Sequence, residues 1–557
     1  MKKLLYMLGI VLLFSSSAWA TDFYISNAGS DSNNGTSTDT PFLTIHQYTD
    51  HATHGTDDKV YLKKGDIFRE QVNINSTESG TAGHPVTFDA YGTGALPIVS
   101  GAKIQTGFTL DNGTVYKKVL GESHTPQGTW YNDSRITYDS TKTTTLVSGT
   151  WNYVSGTDTL WVNVGEDPTT HDLETSRRDY CFLIDATSSY IDFKNMTLSG
   201  SDAIGFSIQG SHFNFTNINA NNSGPEDGDN ALMTIWTHGS YVTFDGGTIT
   251  NNYGRGFEIW GDHIIIRNYN ISATKGTINT VDNIQILPNV TSDVLIENCT
   301  LSMVGNTTTY KGVIKIGQPP AGDTDWVIVR NCDISGGTSA QHAVNIARDR
   351  VIVENNYIHN FTSHNVRGAI FLPLETLSGS ITGTNVFIRN NIIKDIYIGL
   401  HSEDDSDTTL IYDTFHFYNN TIINPEYMAI DLQDSINGDI KNNIITGTTT
   451  TNIKVRVDTS AHLATMDMDY NCYFAEQSNT FRIGASTNYA TLAAWTAATG
   501  QDAHSIVTNP NLTSVWRPTS TTPNSVVLSD VLNDYNGCVR DATPTLGAIE
   551  YGWTLCQ

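Results

Sequence analysis

The chain has 557 residues, of which 38% are apolar and 16% charged, so it can bury an extensive core and is not a disordered chain. Its 31 Lys and Arg are outnumbered by 57 Asp and Glu, which gives a formal net charge of −26 at pH 7. This charge excludes a general nucleic-acid-binding protein, because such proteins neutralise phosphates with clustered cations.

The N-terminus has the features of a secretory signal. Two lysines precede the apolar run at residues 4–14, and Ala18-Trp19-Ala20 is a small-x-small cleavage site. We therefore predict a signal peptide over residues 1–20, cut after Ala20, and a secreted or periplasmic protein. No later stretch approaches the ~20 apolar residues that a membrane-spanning helix needs, so no membrane span is predicted.

Two segments precede the regular part of the chain. Residues 21–100 are interpreted as an N-terminal cap followed by the first coils of a solenoid, because a solenoid must cover its open apolar end. Residues 101–180 break the rhythm of the chain and predict a small antiparallel β insertion. Its aromatic residues, such as Trp151 and Trp161, are expected to pack within this module, with a sugar-binding subsite as the alternative.

A short pattern recurs between residues 190 and 445: an apolar residue, a polar residue and Asn, followed by another strand-like run. The recurring Asn positions are Asn195, Asn217, Asn268, Asn298, Asn331, Asn355, Asn390, Asn419 and Asn442, and Gly246 fills one further slot. Residues within each unit alternate in twos, which excludes a helical solenoid. The variable spacing predicts loops of different length on a constant coil.

The recurring Asn has a physical reason. A sharp turn between two strands needs a residue that tolerates left-handed dihedrals and bonds neighbouring backbone, and stacked Asn side chains can form a hydrogen-bonded ladder. A second strand precedes each Asn strand, as in Gly256-Phe257-Glu258-Ile259. These features predict an all-β fold, a right-handed parallel β-helix of about ten or more coils over residues 181–475. Cys299 and Cys332 follow the Asn on adjacent coils and are expected to stack inside without a disulfide.

Stacked coils place equivalent outward residues in columns, because neighbouring strands are about 4.8 Å apart. For the strand that precedes the Asn turn, the predicted outer column is Ser207, Thr234, Glu258, Gln285, Lys315, Asn345, Phe371, His401, Asp431 and Lys454. The turn that enters this strand adds Arg255, Asp282, Lys311, His342 and Arg367. The cations of these two sets form a local basic strip on an acidic protein, which would focus an anionic substrate. Ordinary surface salt bridges are the alternative interpretation.

Trp236 and Trp260 are predicted to stack on each other on adjacent coils, facing outward, where they suit sugar rings. A covering loop over both rings is the alternative. With them we assign Arg255, Gln285 and Asn345 to substrate binding.

Residues 476–557 are predicted to form a C-terminal cap, because the Asn rhythm ends after Cys472. The Ala-rich segment 489–499, followed by Gly500, predicts one helix with a glycine C-cap. Cys538 and Cys556 are close enough in sequence to form a disulfide that fixes this cap.

Several segments resemble the pectate-lyase-like superfamily of secreted right-handed parallel β-helix proteins. The residues that carry the resemblance are Tyr24-Ile25-Ser26-Asn27-Ala28-Gly29-Ser30-Asp31-Ser32-Asn33-Asn34-Gly35, Gly80-Thr81-Ala82-Gly83-His84-Pro85, Leu492-Ala493-Ala494-Trp495 and Gly547-Ala548-Ile549-Glu550-Tyr551. That group contains polysaccharide lyases and glycoside hydrolases, so the resemblance implies the fold and a carbohydrate-active protein. The paired Lys–Arg motif of alginate and chondroitin lyases of this fold has no clear match.

The outer column favours cleavage of an anionic polysaccharide by β-elimination. Lys315 or His342 would serve as the base, His401 as an alternative base, and Arg367 as the group that neutralises the uronate carboxylate. The resemblance also implies Ca²⁺ as a possible neutraliser, for which Asp227 and Asp229 are the candidate ligands. A monomer that acts on a polysaccharide is expected.

Two other functions remain open at this point. A glycoside hydrolase needs two carboxylates about 5–9.5 Å apart, and Glu258 with Asp282 on adjacent coils, or Asp431 with Glu403, are the candidate pairs. A non-catalytic polysaccharide-binding or adhesin solenoid would need only the repetitive polar coils. A concave groove with clustered titratable groups would favour an enzyme over this last function.

Overall fold

The computed structural model of the chain describes most of residues 20–551. The residues within that range that are not described are 122–123, 142, 223, 225–232, 253, 273–281, 289, 291–292, 304–311, 318–323, 338–339, 363–367, 374–381, 404–410, 434–435, 448–452, 477, 479 and 520–524. The predicted signal peptide, apart from Ala20, therefore lies outside the described residues.

The main body is a right-handed parallel β-helix, as predicted. Each coil contributes one strand to each of three parallel sheets, and each strand pairs with its equivalents in the coils before and after. Parallel pairing is stable here because the inner face of every sheet is buried in one continuous apolar core.

The first sheet contains the strands that enter each coil. These strands are Val72–Ile74, Tyr180–Ile184, Ile204–Ile208, Met233–Thr237, Arg255–Ile259, Ile284–Ile286, Gly312–Ile316, His342–Ile346, Ile370–Pro373, Ile453–Val457 and Phe481–Ile483. The C-terminal halves of Ile392–Glu403 and Thr421–Leu432 complete it.

The second sheet follows the first in each coil. Its strands are Asp22–Ile25, Lys59–Lys63, Val86–Tyr91, Val294–Glu297, Val327–Arg330, Val351–Glu354, Thr382–Arg389, Ile411–Tyr418, Ile436–Lys441 and Met466–Asp469. The third sheet contains Ile67–Phe68, Ile98–Ser100, Thr300–Ser302, Asp333–Gly337, Tyr357–Phe361, Ile444–Thr446 and Cys472–Phe474. Four longer strands, Ser189–Ser199, Ser211–Asn221, Ser240–Thr250 and Ile264–Ser272, bend at the corner and belong to both the second and the third sheet.

The recurring Asn lies at this corner between the second and third sheets. All nine Asn positions have φ between 52° and 60°, and Gly246 has φ of 77°, so every slot uses the left-handed region. Asn tolerates this region because its short side chain can bond the local backbone. The pattern seen in the sequence is therefore a backbone requirement.

The internal ladder is formed mainly by the residue after the recurring Asn, which corrects the sequence-based prediction. Buried asparagines donate from Nδ2 to the Oδ1 of the next coil at 3.0–3.3 Å. The members of this ladder are Asn356, Asn391, Asn420, Asn443 and Asn471, and the last of them donates to Asp502. The predicted Asn-to-Asn bond occurs on the outside, where Asn217 donates to Asn195 at 2.9 Å.

Cys299 and Cys332 occupy the ladder position in two earlier coils. Both thiols are buried and free, as expected from the sequence. The backbone N–H of Cys332 donates to Asn356 Oδ1 at 2.9 Å, so the ladder begins directly below the cysteines.

Residues 102–176 form a separate eight-stranded sheet that interrupts the β-helix. Its strands are Ala102–Ile104, Thr109–Asn112, Val115–Val119, Thr129–Tyr131, Ser134–Tyr138, Thr150–Val154, Thr159–Asn163 and Leu173–Ser176. All pairings are antiparallel except that of Ser134–Tyr138 with Thr150–Val154, which is parallel. Trp151, Leu160 and Val162 form part of its own small core.

The C-terminal region covers the last coils. The predicted helix is present as Leu492–Thr499; Thr491 caps its N-terminus and Gly500, with φ of 76°, ends it. Two shorter helices are His46–Thr49 and Ser460–Leu463, and the strand Thr487–Tyr489 is antiparallel to Phe481–Ile483. Cys538 is in a disulfide, and its predicted partner Cys556 lies outside the described residues. Among the helices of the described chain, none combines the length and apolarity that a membrane crossing requires.

Candidate functional site

The register of the first sheet defines one column of outward side chains. The outer column is Ser207, Trp236, Glu258, Gln285, Lys315, Asn345, Phe371, His401, Asp431 and Arg456. Two predicted members were wrong. Trp236 rather than Thr234 pairs with Glu258, and Arg456 rather than Lys454 pairs with Asp431. In each case the sequence assignment was two residues too early, a shift that preserves the in-out alternation and so leaves no trace in the pattern.

The predicted stack of Trp236 on Trp260 is also wrong. His238 lies between them: its ring meets Trp236 edge-on at 4.3 Å and stacks on Trp260 at 4.9 Å. Trp260 lies on the coil after that of Trp236, two residues beyond Glu258 in the chain, and 42% of its surface is exposed. The aromatic platform is therefore Trp236, His238 and Trp260, and the sequence analysis missed its central ring.

Both carboxylate oxygens of Glu258 form contacts beneath this platform. Its Oε1 accepts a hydrogen bond from Trp260 Nε1 at 2.8 Å, and its Oε2 forms an ion pair with Arg255. Burial among the tryptophans lowers the pKa of His238, and the Glu258 carboxylate opposes this shift. His238 is thus held as a neutral aromatic surface near neutral pH.

The centre of the outer column is different, because three of its polar groups lack partners among the described residues. Gln285, Lys315 and Asn345 lie level with one another on three successive coils. Gln285 Oε1 and Asn345 Oδ1 are buried and accept no hydrogen bond from any described residue. Lys315 between them is exposed, and no hydrogen bond or ion pair of its ammonium occurs within the described part of the chain. Buried polar atoms are normally satisfied, so the amide oxygens of Gln285 and Asn345, on either side of the exposed Lys315, are candidate ligand contacts.

A second column runs beside the centre. Asp282, Gly312 and His342 are level on the same three coils. Asp282 Oδ1 accepts a hydrogen bond from the Gly312 N–H at 3.1 Å. A Cβ at Gly312 would lie 2.3 Å from His342 Nε2 and 3.3 Å from Asp282 Oδ1, so both side chains lie over this glycine. The absence of a side chain at Gly312 leaves the space that these two side chains occupy.

The remaining members of the outer column form a closed group. Phe371 lies between His342 and His401, with ring centroids 5.7 and 5.6 Å away. His401 Nε2 is 3.5 Å from Asp431 Oδ2, which also accepts hydrogen bonds from Gln433 at 3.1 Å and Arg456 at 3.3 Å. Gln433 and Arg456 were not among the predicted site residues. Neither could have been found without the register, because their role depends on facing Asp431.

Some predicted site residues lie outside the described residues. These are Arg367, Lys311, Asp227 and Asp229. The prediction of a Ca²⁺ site at the two aspartates and of Arg367 as neutraliser therefore stays a prediction. Glu403, the predicted partner of Asp431, belongs to a described strand, but its side-chain position is not among the described features.

The residues considered for the two chemistries differ in their contacts. Lys315 is exposed and has no hydrogen-bond or ion-pair partner among the described residues, whereas His342, on the next coil, is buried. Glu258 and Asp282 are on adjacent coils, and both oxygens of Glu258 already contact Trp260 and Arg255. A basic centre in a chain of net charge −26 would attract an acidic ligand locally.

Comparison with known proteins identifies the fold. No family model matches the chain, and no curated protein matches it. A solved structure described as XylC in complex with xylose is 12% identical, covers 95% of this chain and 98% of its own, and gives a TM-score of 0.53. A glycoside hydrolase (11% identity, 69% of this chain and 95% of its own, TM-score 0.47) and pectate lyase Pel9A (11%, 96% and 98%, 0.39) are also similar. The likeness to the first of these structures shows a shared fold, which in this chain is the parallel β-helix.

Proposed function

We propose that this protein is a carbohydrate-active enzyme that cleaves an anionic polysaccharide by β-elimination, with Lys315 as the base. The observation that supports this proposal is the exposed Lys315 between the amide oxygens of Gln285 and Asn345, none of which has a partner within the described parts of the chain. A uronate carboxylate would be drawn to the local positive charge, and sugar hydroxyls would donate to the two amide oxygens.

The reaction assigns one task to each group. After its ammonium has released a proton to solvent, Lys315 would take the proton from C5 of the uronate as a neutral amine. The C5–H electron pair forms the C4=C5 double bond, and the C4–O bond breaks. A general acid then protonates the leaving oxygen; His342 is the candidate, because it lies over Gly312 on the adjacent coil. Arg367 would neutralise the carboxylate, and Ca²⁺ held near Asp227 and Asp229 is the alternative neutraliser.

The aromatic platform supports binding of a sugar chain next to this centre. Trp236 is on the coil before Glu258, and Glu258 is on the coil before Gln285, so the platform is one to two coils from the amide pair. At about 4.8 Å per coil, this separation matches one or two sugar residues of a chain that lies along the β-helix axis.

The first experiment is a substrate panel. The purified full chain would be incubated with alginate, pectate, chondroitin and sulfated glycans, together with neutral xylan, which is included because a structural neighbour was solved with xylose. Rising absorbance of unsaturated uronate, with the polyuronates only, is the expected result. New reducing ends without this absorbance would instead indicate hydrolysis, and affinity-gel retardation without cleavage would indicate a binding protein.

The role of Lys315 is tested by two substitutions. Lys315→Arg keeps the positive charge but provides no neutral amine, so binding should persist while turnover falls by at least about 1000-fold. Lys315→Ala should lose both. Lys59→Ala, a surface lysine on the second sheet, is the matched control and should change neither. An active Lys315→Arg would exclude Lys315 as the base.

Hydrolysis is the second candidate, favoured by the two buried carboxylates Glu258 and Asp282 on adjacent coils. The variant Glu258→Gln distinguishes hydrolysis from elimination. A hydrolase that uses Glu258 would lose turnover, whereas the proposed lyase would keep its turnover and show a raised KM, since Glu258 only orients Arg255 and Trp260.

A further inference from the structure

A cluster of possible metal ligands lies where the inserted sheet meets the β-helix. His124, Asp179 and Asp202 each present one ligand atom, and these atoms all lie within 4.8 Å of one another. Among the described residues, this is the one group of three or more His, Cys, Asp or Glu side chains with that geometry. The cluster is separate from the outer column and takes no part in the proposed elimination.

The three residues come from three separate segments. His124 belongs to the insertion, between the strands Val115–Val119 and Thr129–Tyr131. Asp179 directly precedes the strand Tyr180–Ile184, and Asp202 lies two residues before the strand Ile204–Ile208. These two strands are neighbours in the first sheet, and Tyr180 lies opposite Ile204. The two aspartates are therefore at the same edge of adjacent coils, and the insertion brings the histidine to them.

The backbone fixes the two aspartates. The N–H of Asp202 donates to Arg178 O at 2.9 Å, and the N–H of Ile204 donates to Asp179 O at 2.8 Å. These bonds join the two entry turns in one arrangement. Such preorganisation lowers the cost of bringing ligands together around an ion.

Each carboxylate oxygen of Asp202 has a defined role. Oδ1 accepts a hydrogen bond from the Gln127 N–H at 3.1 Å, so the insertion backbone orients the carboxylate. Oδ2 faces His124 Nε2, with which it forms an ion pair. A ligand carboxylate held by an outer hydrogen bond is the usual arrangement in metal sites. Asp202 is almost fully buried, whereas Asp179 is exposed, so the cluster is open on one side.

We propose that His124, Asp179 and Asp202 bind a divalent transition-metal ion, with Zn²⁺ as the best fit, that fastens the inserted sheet to the first coils of the β-helix. One imidazole nitrogen and two carboxylate oxygens are ligands of the kind that Zn²⁺ accepts, with a fourth position left for water. A Ca²⁺ ion would instead require six to eight oxygen ligands and gains little from an imidazole.

The position of the cluster gives the ion a structural consequence. Asp202 enters the strand Ile204–Ile208, which carries Ser207, the member of the outer column before Trp236. A metal at this entry would fix the insertion over the end of the outer column where the aromatic platform begins.

The competing explanation is an ion pair of His124 and Asp202 without metal. The metal site and the metal-free ion pair differ in the role of Asp179, because only the metal site needs this residue. The full chain would be treated with a chelator, dialysed against Zn²⁺, Mn²⁺ or Ca²⁺, and assayed for bound metal and thermal unfolding. One Zn²⁺ per chain is expected, with a raised Tm and weaker binding of the other two ions.

Asp179→Asn decides between the two explanations. It should weaken Zn²⁺ binding at least tenfold and remove the Zn²⁺-dependent rise in Tm, with no change in Tm without metal. His124→Ala should also abolish binding. His504→Ala is the matched control, because His504 pairs with Asp469 at 2.6 Å without belonging to such a cluster. Absence of Zn²⁺ binding by the unaltered chain, or equal binding by Asp179→Asn, would overturn the proposal and leave the ion pair alone.

Discussion

The centre and the end of the outer column are built from similar polar residues but differ in how those residues are satisfied. At the end, His401, Gln433 and Arg456 all face the carboxylate of Asp431. At the centre, Gln285, Lys315 and Asn345 face no partner among the described residues.

The difference shows what an outward polar row can do on a β-helix. The contacts of Asp431 with His401, Gln433 and Arg456 stabilise the coils at the end, although Asp431 Oδ1 accepts no hydrogen bond from a described residue. Unsatisfied groups at the centre cost stability, since a buried polar atom without a partner carries a desolvation penalty of about 1–3 kcal/mol. Such a cost is expected at a binding site, where the ligand supplies the missing partners.

The strongest test of this comparison is Lys315→Met. We expect turnover on the polyuronate substrate to fall at least about 1000-fold, equivalent to about 4 kcal/mol, because the base is lost. The free energy of unfolding in urea should change by less than about 0.5 kcal/mol, because the exposed ammonium has no partner to lose. A large loss of stability in this variant would show that Lys315 has a structural partner.

Asp431→Ala should have the opposite profile. Removing a carboxylate that is only 2% exposed leaves His401 without its anion and Arg456 with only the longer contact to Asp458, so a loss of about 3 kcal/mol in unfolding free energy is expected. Asp458→Ala is the control, because Asp458 contacts the same Arg456 at 3.7 Å but its side chain is 42% exposed. Equal losses of unfolding free energy in the two variants would show that Asp431 does not hold a closed group together.

Lys454 tests the cost of burying an unpaired cation. Its ammonium is 1% exposed and has no hydrogen-bond partner in the described chain, and burial lowers its pKa to about 8. In the unfolded chain, Lys454 has the ordinary lysine pKa of about 10.4. The buried charge therefore lowers the unfolding free energy in full below pH 8, and this loss of stability disappears as the pH rises from 8 to 10.4. Lys454→Met should raise stability by about 2 kcal/mol at pH 7 and flatten this pH dependence in denaturant titrations. An unchanged slope between pH 8 and 10 would refute the assignment.

The smallest expected effect is that of Asn345→Leu. Loss of an unpartnered amide oxygen should leave the unfolding free energy unchanged or slightly higher, while KM rises about tenfold, or about 1.4 kcal/mol. Asn391→Leu is the matched control, because it breaks the internal ladder and should cost about 2 kcal/mol without changing KM. If Asn345→Leu destabilises as much as Asn391→Leu, Asn345 is structural.

Much of the fold could be predicted from the sequence because its signals are local. The Asn at each corner is selected by a single backbone dihedral, and Thr491 and Gly500 mark the ends of the one predicted helix. The ladder, however, was assigned to the wrong Asn of each pair. Adjacent asparagines differ only in whether they point inward, and that depends on how each corner bends.

The candidate site shows the same division. Membership of Glu258, Gln285, Lys315 and His401 in one column followed from alternation, while Trp236 and Arg456 required the observed register. No local pattern indicates that His124 meets Asp202 across 78 residues, or that His238 separates the two tryptophans.

The amino-acid sequence alone determined the winding of this chain, because strand alternation and left-handed corners are properties of a few neighbouring residues. Tertiary structure alone decided which polar groups are neutralised and which stay available, because that depends on partners one coil away and on the exact offset between coils. The chemistry of the surface therefore depends on register, whereas its architecture does not.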